Sequence, residues 1–310
     1  MSDDEEIRAL LAAKARLTET LRKREQFTSL ERYAPYQKQR DFHAAGAKYR
    51  ERLLSAGNQL GKTFCGAAEA TYHLTGHYPE WWQGRRFTHP VSMLAGSVSA
   101  DLTRDGMQKL LMGPPEIEED WGSGMIPKAA IVSWPKRKSG VKDAIDAVVI
   151  KHKPTGGNSV IRFKSFDQGR AKWQASTVDL VWLDEEPPKD VYQEALTRTN
   201  ATNGMVYMTF TPLNGMSDVV ASFFMDPGVD RFVTMMEIDD VTHISEAKKA
   251  QIIASYDDAT RDARTKGIPV LGSGLVFPVP DAAIVVEPLR IPAHLPRPGA
   301  LDPGCEHPTP

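Results

Sequence analysis

The sequence of 310 residues contains little cysteine, no long apolar run and almost no net charge. Its two cysteines, Cys65 and Cys305, are too few for a disulfide framework, so we expect a reducing compartment and a buried thiol at Cys65. No run of about eighteen apolar residues is present, which argues against a membrane-spanning helix. Four of the first six residues are acidic, whereas a secretory signal begins with basic residues. We therefore expect no membrane partner.

The most informative segment ends in Gly-Lys-Thr and lies between a predicted strand and a predicted helix. Residues 52–56 have the apolar character of a buried strand end, and residues 64–70 are small and helix-compatible. Phosphate-binding loops require this order of strand, loop and helix. In such a loop the backbone N–H groups hold the phosphates of ATP, Lys62 would reach the β- and γ-phosphates, and Thr63 would bind Mg²⁺.

The loop departs from the usual pattern in the position of its first glycine. The pattern expects that glycine at Ala56, whereas this chain has it one place later, at Gly57. A glycine-containing turn beside an exposed lysine is the alternative interpretation. Because the flanking strand and helix are in place, we predict nucleotide binding by seven residues: Gly57, Asn58, Gln59, Leu60, Gly61, Lys62 and Thr63.

A second segment supplies the acidic groups that a nucleotide-hydrolysing site needs. Residues 180–183 are apolar and indicate a fully buried strand, so Asp184 emerges at its carboxyl end, where open α/β sheets bind ligands. We predict that Asp184 binds Mg²⁺ and that Glu185 orients and deprotonates water. Glu186 competes for the second role, and a solvated acidic turn before two prolines is the alternative for the whole segment.

Further strands complete the predicted sheet. Residues 204–210 indicate a strand whose polar end, at Thr211, would lie beside the same rim and sense the γ-phosphate; a turn without a chemical role is the alternative. Residues 91–97 indicate a buried strand between the phosphate loop and residues 180–183, as in the P-loop ATPases that insert a strand and use a catalytic glutamate. We therefore predict an α/β P-loop NTPase of the additional-strand, catalytic-glutamate type, with a mainly parallel central sheet flanked by helices.

With these motifs the chain resembles the large terminase subunit of tailed bacteriophages, a motor that pumps DNA into an empty capsid and cuts it with a second, nuclease domain. The resemblance covers residues 30–310 and is nearest to the short-tailed, headful-packaging branch. It implies that Gln37 contacts the adenine side of ATP and that residues 209–211 couple hydrolysis to movement. The residues that carry it are those of the phosphate loop with Glu69 and 73–76, then 182–188, 209–212 and 272–278.

The resemblance also implies the beginning of a nuclease domain near the end of the chain. Asp302 matches the first of several carboxylates that would hold two Mg²⁺ or Mn²⁺ ions in the full-length protein. Because the chain stops at Pro310, we expect a truncated chain or fragment that cannot assemble the nuclease site.

Ring ATPases commonly complete each site with an arginine from the next subunit. Arg170 is our prediction, because it lies on the segment leading to Asp184 and matches a Gly-Arg segment of the family. Arg198 is the second choice, and a surface salt bridge is the alternative for either arginine.

The resemblance further implies several partners in the host-cell cytoplasm: double-stranded DNA, the small terminase subunit, the portal protein of the procapsid, and other copies of the chain in a ring, with a monomer possible in isolation.

The net charge of −2 is low for a protein that holds DNA through many phosphates, although a ring can multiply a few contacts per subunit. A basic run at residues 135–142 could face DNA, but a solvated basic loop is the more common outcome.

A helicase-like translocase and a non-hydrolysing assembly scaffold are the rival functions. The predicted organisation is an amphipathic helix or arm (1–28), the ATPase core (29–215), a small helical lid or linker subdomain (216–271), a proline-rich linker (272–298) and the nuclease start (299–310).

Overall fold

The computed structural model describes residues 3–26, 29–174, 176–225 and 228–270. The predicted proline-rich linker, the predicted nuclease start and Asp302 lie outside these ranges, so their assignments stay predictions. Within the ranges, every helix is too short or too polar to cross a lipid bilayer.

An eight-stranded sheet forms the centre of the described part, with the strand order β3-β4-β5-β2-β6-β7-β1-β8. Five strands, β2, β6, β7, β1 and β8, run parallel to their neighbours, and β5 runs parallel to β2. At the other edge, β3, β4 and β5 pair antiparallel. The strands are β1 Glu51–Ala56, β2 Ser92–Ser97, β3 Ile131–Arg137, β4 Ile145–Lys151, β5 Asn158–Ser165, β6 Leu180–Asp184, β7 Met205–Phe210 and β8 Arg231–Met236.

The helices of the described part flank the sheet or connect its strands. The α-helices are α1 Asp3–Gln26, α2 Gln37–Ala45, α3 Lys62–Thr75, α4 Ala100–Leu102, α5 Lys109–Met112, α6 Lys189–Thr199, α7 Asp218–Phe224, α8 Glu246–Ala254 and α9 Arg261–Lys266. A π-helical segment, Thr103–Gln108, joins α4 to α5. Short 3-10 segments occur at Glu118–Asp120, Lys128–Ala130, Phe166–Gln168, Arg170–Trp173 and Ile238–Asp240.

Two hydrophobic clusters cover the two faces of the sheet, because successive side chains of a strand point to opposite faces. On β1, Leu54 belongs to the cluster that contains the small buried residues of α3, and Leu53 belongs to the cluster that contains α6 and α7. The buried strand β6 divides its side chains in the same way, with Trp182 on the α3 side and Val181 on the other. The sheet is therefore a central layer between helices, as predicted.

The inserted strand that defines the ATPase branch is β7. It pairs with β1 on one side and with β6 on the other, so it separates the phosphate-loop strand from the strand that ends in Asp184. Residues 91–97 do form a buried strand, β2, but it lies on the far side of β6. The predicted class is confirmed, and the assignment of residues 91–97 as the inserted strand is wrong. Order along the chain does not reveal order in a parallel sheet, because crossover connections can skip positions.

Two other expectations concern segments that contain the edge strands of the sheet. The strands β4 and β5 form an antiparallel hairpin around residues 154–158. The range 216–271, predicted as lid or linker, contains α8 and α9 but also the unpredicted strand β8, which pairs with β1 in the main sheet. The basic run at residues 135–142 begins inside β3 instead of forming only a loop, and its Arg137 pairs with Glu118 and Asp143.

The amino-terminal helix α1 is present, and its apolar stripe is exposed to solvent. The stripe side chains are between 50% and 65% exposed, so they do not pack against the described part of the core. They are Ile7, Leu10, Leu11, Leu17 and Leu21.

Candidate functional site

The predicted phosphate loop connects the end of β1 to the beginning of α3. Gly57 has its late position because α9 approaches it closely: a Cβ at this residue would overlap the backbone oxygen of Arg264. The same oxygen accepts a hydrogen bond from the backbone N–H of Asn58 at 2.9 Å. The displaced glycine therefore follows from a packing contact, because only a residue without a side chain lets α9 lie against the start of the loop.

The residue of α2 that contacts the loop is Gln39. Its side-chain N–H donates to the backbone oxygen of Gly61 at 3.1 Å, while its side-chain oxygen accepts from the backbone N–H of Tyr36 at 3.0 Å. Gln39 is 2% exposed. Gln37 is exposed, and its amide donates to Asp41 at 2.8 Å. The adenine-side role of Gln37 stays a prediction, and sequence reasoning missed Gln39 although it is one turn into the same helix.

Asp184 lies at the carboxyl end of β6 and faces the loop. Its Oδ1 accepts a hydrogen bond from Thr209 Oγ1 at 2.6 Å, and its Oδ2 lies 3.4 Å from Thr63 Oγ1. Burial raises the pKa of Asp184 to about 7, although the Thr209 hydrogen bond and the charge of Lys62 act in the opposite direction. Because the donors in contact with this buried carboxylate are uncharged, a nearby cation would stabilise its charged form.

The donor set at this point fits Mg²⁺. Thr63 and Asp184 offer one hydroxyl oxygen and one carboxylate oxygen, and Mg²⁺ in nucleotide sites takes hard oxygen ligands from one or two side chains, from phosphates and from water. The two predicted metal ligands therefore lie next to each other although 121 positions separate them in the sequence.

Glu185 and Glu186 point in different directions. Glu185 adopts a left-handed backbone conformation with φ of 74°, uncommon for a residue with a side chain and enriched at functional sites. Its Oε1 lies 3.7 Å from the Nζ of Lys62, and the side chain is 40% exposed. Glu186 instead lines a cavity of about 580 Å³ with Pro187 and Asp218, and its Oε2 is shielded from solvent.

Thr211 directly follows β7, and its side chain contacts the start of the phosphate loop. Its hydroxyl contacts the backbone oxygen of Ala56 at 2.8 Å and the side-chain oxygen of Asn58 at 3.2 Å. A side chain on one strand thus contacts the loop of the neighbouring strand, which is the location predicted for a residue that responds to the γ-phosphate. The structure brings together the phosphate loop, Asp184, Glu185 and Thr211.

The two arginines predicted from sequence contact the same carboxylate. Arg170 lies in the 3-10 segment before β6, and its Nε is 3.3 Å from Glu194 of α6. Arg198 pairs with the other oxygen of Glu194 at 2.9 Å. The side chain of Arg170 is 56% exposed, compared with 27% for Arg198.

A second buried charge cluster, which the sequence did not predict, lies behind the loop. Glu69 of α3 pairs with Arg52 of β1, accepts from His43 of α2 at 2.7 Å and lies 3.4 Å from His73. All four side chains are 1% exposed or less. Burial opposes ionisation of Glu69, but Arg52 and the two histidines hold its pKa well below the usual range. Burial lowers the pKa values of both His43 and His73, which favours their neutral forms beside the Arg–Glu pair.

Residues 53–284 match the sequence profile of a family described as "Terminase large subunit, T4likevirus-type, N-terminal". The chain belongs to the large terminase subunits. The resemblance inferred from its motifs is therefore confirmed. The terminase large subunit of Salmonella phage P22 is 40% identical over 327 aligned residues, covering 99% of this chain and 64% of the phage protein. This terminase chain thus spans slightly less than two thirds of that relative.

Solved terminase structures share the fold. A mutant of the large terminase ATPase domain of Thermus phage P74-26 superposes with a TM-score of 0.52 at 15% identity, covering 77% of this chain and 95% of that domain. The large terminase of a thermophilic bacteriophage in complex with ADP gives a TM-score of 0.52 at 11% identity, over 76% of this chain and 53% of that protein. At these identities the likeness shows the fold alone.

Proposed function

We propose that this chain is the ATP-hydrolysing motor part of a phage terminase that moves double-stranded DNA into a procapsid. One observation carries the proposal: the ends of β1 and β6 bring a lysine, a hydroxyl and two carboxylates together at one rim of the sheet. These residues are Lys62, Thr63, Asp184 and Glu185. Membership of the large terminase family supports DNA packaging as the process that ATP hydrolysis would drive.

Each residue of this rim has a role in ATP hydrolysis. Lys62 would bind the β- and γ-phosphates, because it lies at the beginning of α3 beside the loop backbone. Thr63 and Asp184 would hold Mg²⁺, which neutralises phosphate charge when bound. Glu185 would orient a water molecule and take its proton, since its carboxylate is accessible and lies on the Lys62 side of the rim.

The experiment measures phosphate release with and without double-stranded DNA, over chain concentrations that permit self-association. Glu185→Gln should keep nucleotide binding and reduce the rate by about 10²- to 10⁴-fold, the usual contribution of a general base. Glu186→Gln is the matched control and should stay close to the wild-type rate, because its side chain lines the cavity with Pro187 and Asp218. The reverse result would make Glu186 the base. No phosphate release by the wild-type chain under any condition would contradict the hydrolytic function.

We also propose that Arg170 completes the site of a neighbouring subunit in a ring. Its support is the exposure of the side chain and its position just before β6, where Glu194 restrains it. Arg170→Ala should abolish the stimulation of hydrolysis by DNA in the assembled motor and leave the basal rate of the isolated chain unchanged. Intact DNA stimulation in the variant would contradict this role.

The remaining parts of the packaging machine are proposals from family membership. The chain would work with the small terminase subunit and with the portal protein of the procapsid in the host-cell cytoplasm. The full-length protein would cut DNA with a two-metal nuclease that includes Asp302, so a chain extended to the full length of its relatives should cleave plasmid DNA in Mn²⁺ or Mg²⁺. Absence of cleavage by that longer protein would contradict the nuclease proposal.

A further inference from the structure

Thr209 is a fully buried residue of β7 that sits directly opposite Asp184 in the strand pairing. Its hydroxyl group takes part in two hydrogen bonds. Asp184 Oδ1 lies 2.6 Å from Thr209 Oγ1, and the indole Nε1 of Trp182 lies 2.8 Å from the same oxygen. An indole N–H can only donate, so the threonine oxygen accepts from Trp182. The single hydroxyl proton of Thr209 is therefore directed to the carboxylate of Asp184.

The direction of this hydrogen bond is maintained by packing around Trp182. The indole ring stacks on Tyr207 of β7, with ring centres 5.8 Å apart and an angle of 14° between the planes. The ring also meets α3 at Gly66, where an added Cβ would lie 2.6 Å from ring atoms. The hydroxyl of Tyr207 donates to the backbone oxygen of Gly66 at 2.9 Å. Trp182 is therefore packed against both β7 and α3 while its indole N–H donates to Thr209.

The consequence for Asp184 is that its two oxygens have different roles. Oδ1 accepts the short hydrogen bond from Thr209, and hydrogen bonds to charged acceptors are typically shorter and stronger than neutral ones. Oδ2 faces Thr63 Oγ1 at 3.4 Å. Rotation of the carboxylate about its Cβ–Cγ bond would break the Thr209 contact, so one oxygen is kept pointing toward the loop.

We propose that Thr209 is a positioning residue: it holds the Asp184 carboxylate in the orientation that presents Oδ2, beside Thr63, to the Mg²⁺ of a bound nucleotide. This inference rests on the proposed ATPase function. It gives Thr209 a role different from that of Thr211, which lies at the end of the same strand and contacts the loop backbone instead. Partners that orient a metal ligand typically change metal affinity about 10- to 100-fold when they are removed.

The test is a titration of a fluorescent ADP analogue into the whole chain, first in EDTA and then at increasing Mg²⁺ concentrations. Thr209→Val keeps the shape of the side chain but removes the hydroxyl, and Thr209→Ser is the matched control that restores it. In EDTA all three proteins should bind the analogue equally. In Mg²⁺, Thr209→Val should need about tenfold more metal for half of the Mg²⁺-dependent gain in affinity, whereas Thr209→Ser should stay within about twofold of the wild type.

A purely structural role predicts a different pattern. If Thr209→Val showed the wild-type Mg²⁺ requirement, or if Thr209→Ser were impaired as strongly as Thr209→Val, the positioning role would be overturned. Thermal unfolding in EDTA reports whether the valine variant folds, and Thr209→Ala replaces it if it does not, with the same two criteria. Failure of the wild-type chain to bind the analogue at any Mg²⁺ concentration would overturn the nucleotide site itself, and this inference with it.

Discussion

Two buried carboxylates on opposite sides of the phosphate loop differ in what surrounds them. Glu69, behind the loop, contacts a guanidinium and two imidazoles, and the charge of Arg52 keeps the pKa of Glu69 well below its usual range against the effect of burial. Asp184, at the rim, contacts two threonine hydroxyls, and burial raises its pKa to about 7. Among the described residues, Glu69 has a cationic group in direct contact, whereas the groups in direct contact with Asp184 are uncharged hydroxyls.

This difference separates a structural charge from a functional one. A buried ion whose partners are all provided by the protein contributes to a fixed arrangement of α2, β1 and α3. The charged form of a buried carboxylate without a cation in direct contact is stabilised when a cation from outside arrives. We therefore propose that Glu69 supports the loop and that Asp184 binds a metal with the nucleotide.

The largest effect on folding should come from the Glu69 side of this comparison. Glu69→Gln leaves the buried guanidinium of Arg52 without its counter-charge, which typically costs about 3–5 kcal/mol of unfolding free energy. Asp184→Asn is the matched control, because among the described residues this carboxylate contacts hydroxyl groups and not a cation. Urea unfolding in EDTA should show a large loss for Glu69→Gln and little or no loss for Asp184→Asn. Equal losses would contradict the distinction.

A smaller effect should come from the contact between the loop and α9. Gly57→Ala forces a Cβ against the backbone oxygen of Arg264, so the loop or α9 must shift, and overpacking of this kind costs about 1–3 kcal/mol. Gly106→Ala is the control, because a Cβ there meets no atom within 4 Å. Urea unfolding and nucleotide titration should both show a loss in Gly57→Ala that Gly106→Ala lacks. Wild-type nucleotide affinity in Gly57→Ala would show that α9 does not shape the loop.

The parts of this site that could be predicted from sequence are the local ones. Lys62 follows a glycine between a strand and a helix, and Asp184 follows an apolar strand, so each could be placed from its own neighbours along the chain. The apolar pattern of residues 180–183 also fixed their position in the interior of a parallel sheet. These inferences need only a short window of sequence, because strand and helix periodicity are local properties.

The parts that could not be predicted depend on pairing between distant segments. β7 lies between β1 and β6 although it follows both in the sequence, and β8 joins the sheet as an edge strand whose alternation of polar and apolar residues is weak. The bond from Thr209 to Asp184 depends on the register of two strands, and a strand pattern alone does not specify its partner. Gln39 could be distinguished from Gln37 only once the direction of α2 toward the loop was known.

The central claim, that the rim beside Lys62 is a Mg²⁺-dependent ATP site, is tested most directly by calorimetric titration of ATP into the chain. We predict one site per chain, with an ATP affinity that rises when EDTA is replaced by Mg²⁺ and that falls by at least about tenfold in Lys62→Ala, which loses the phosphate-binding ammonium group. Unfolding of the metal-free Lys62→Ala protein should match the wild type, because among the described residues the ion pair of Lys62 is with the partly exposed Glu185 at 3.7 Å. Wild-type ATP affinity in Lys62→Ala, or an ATP affinity that does not change with Mg²⁺, would show that this rim is not the nucleotide site.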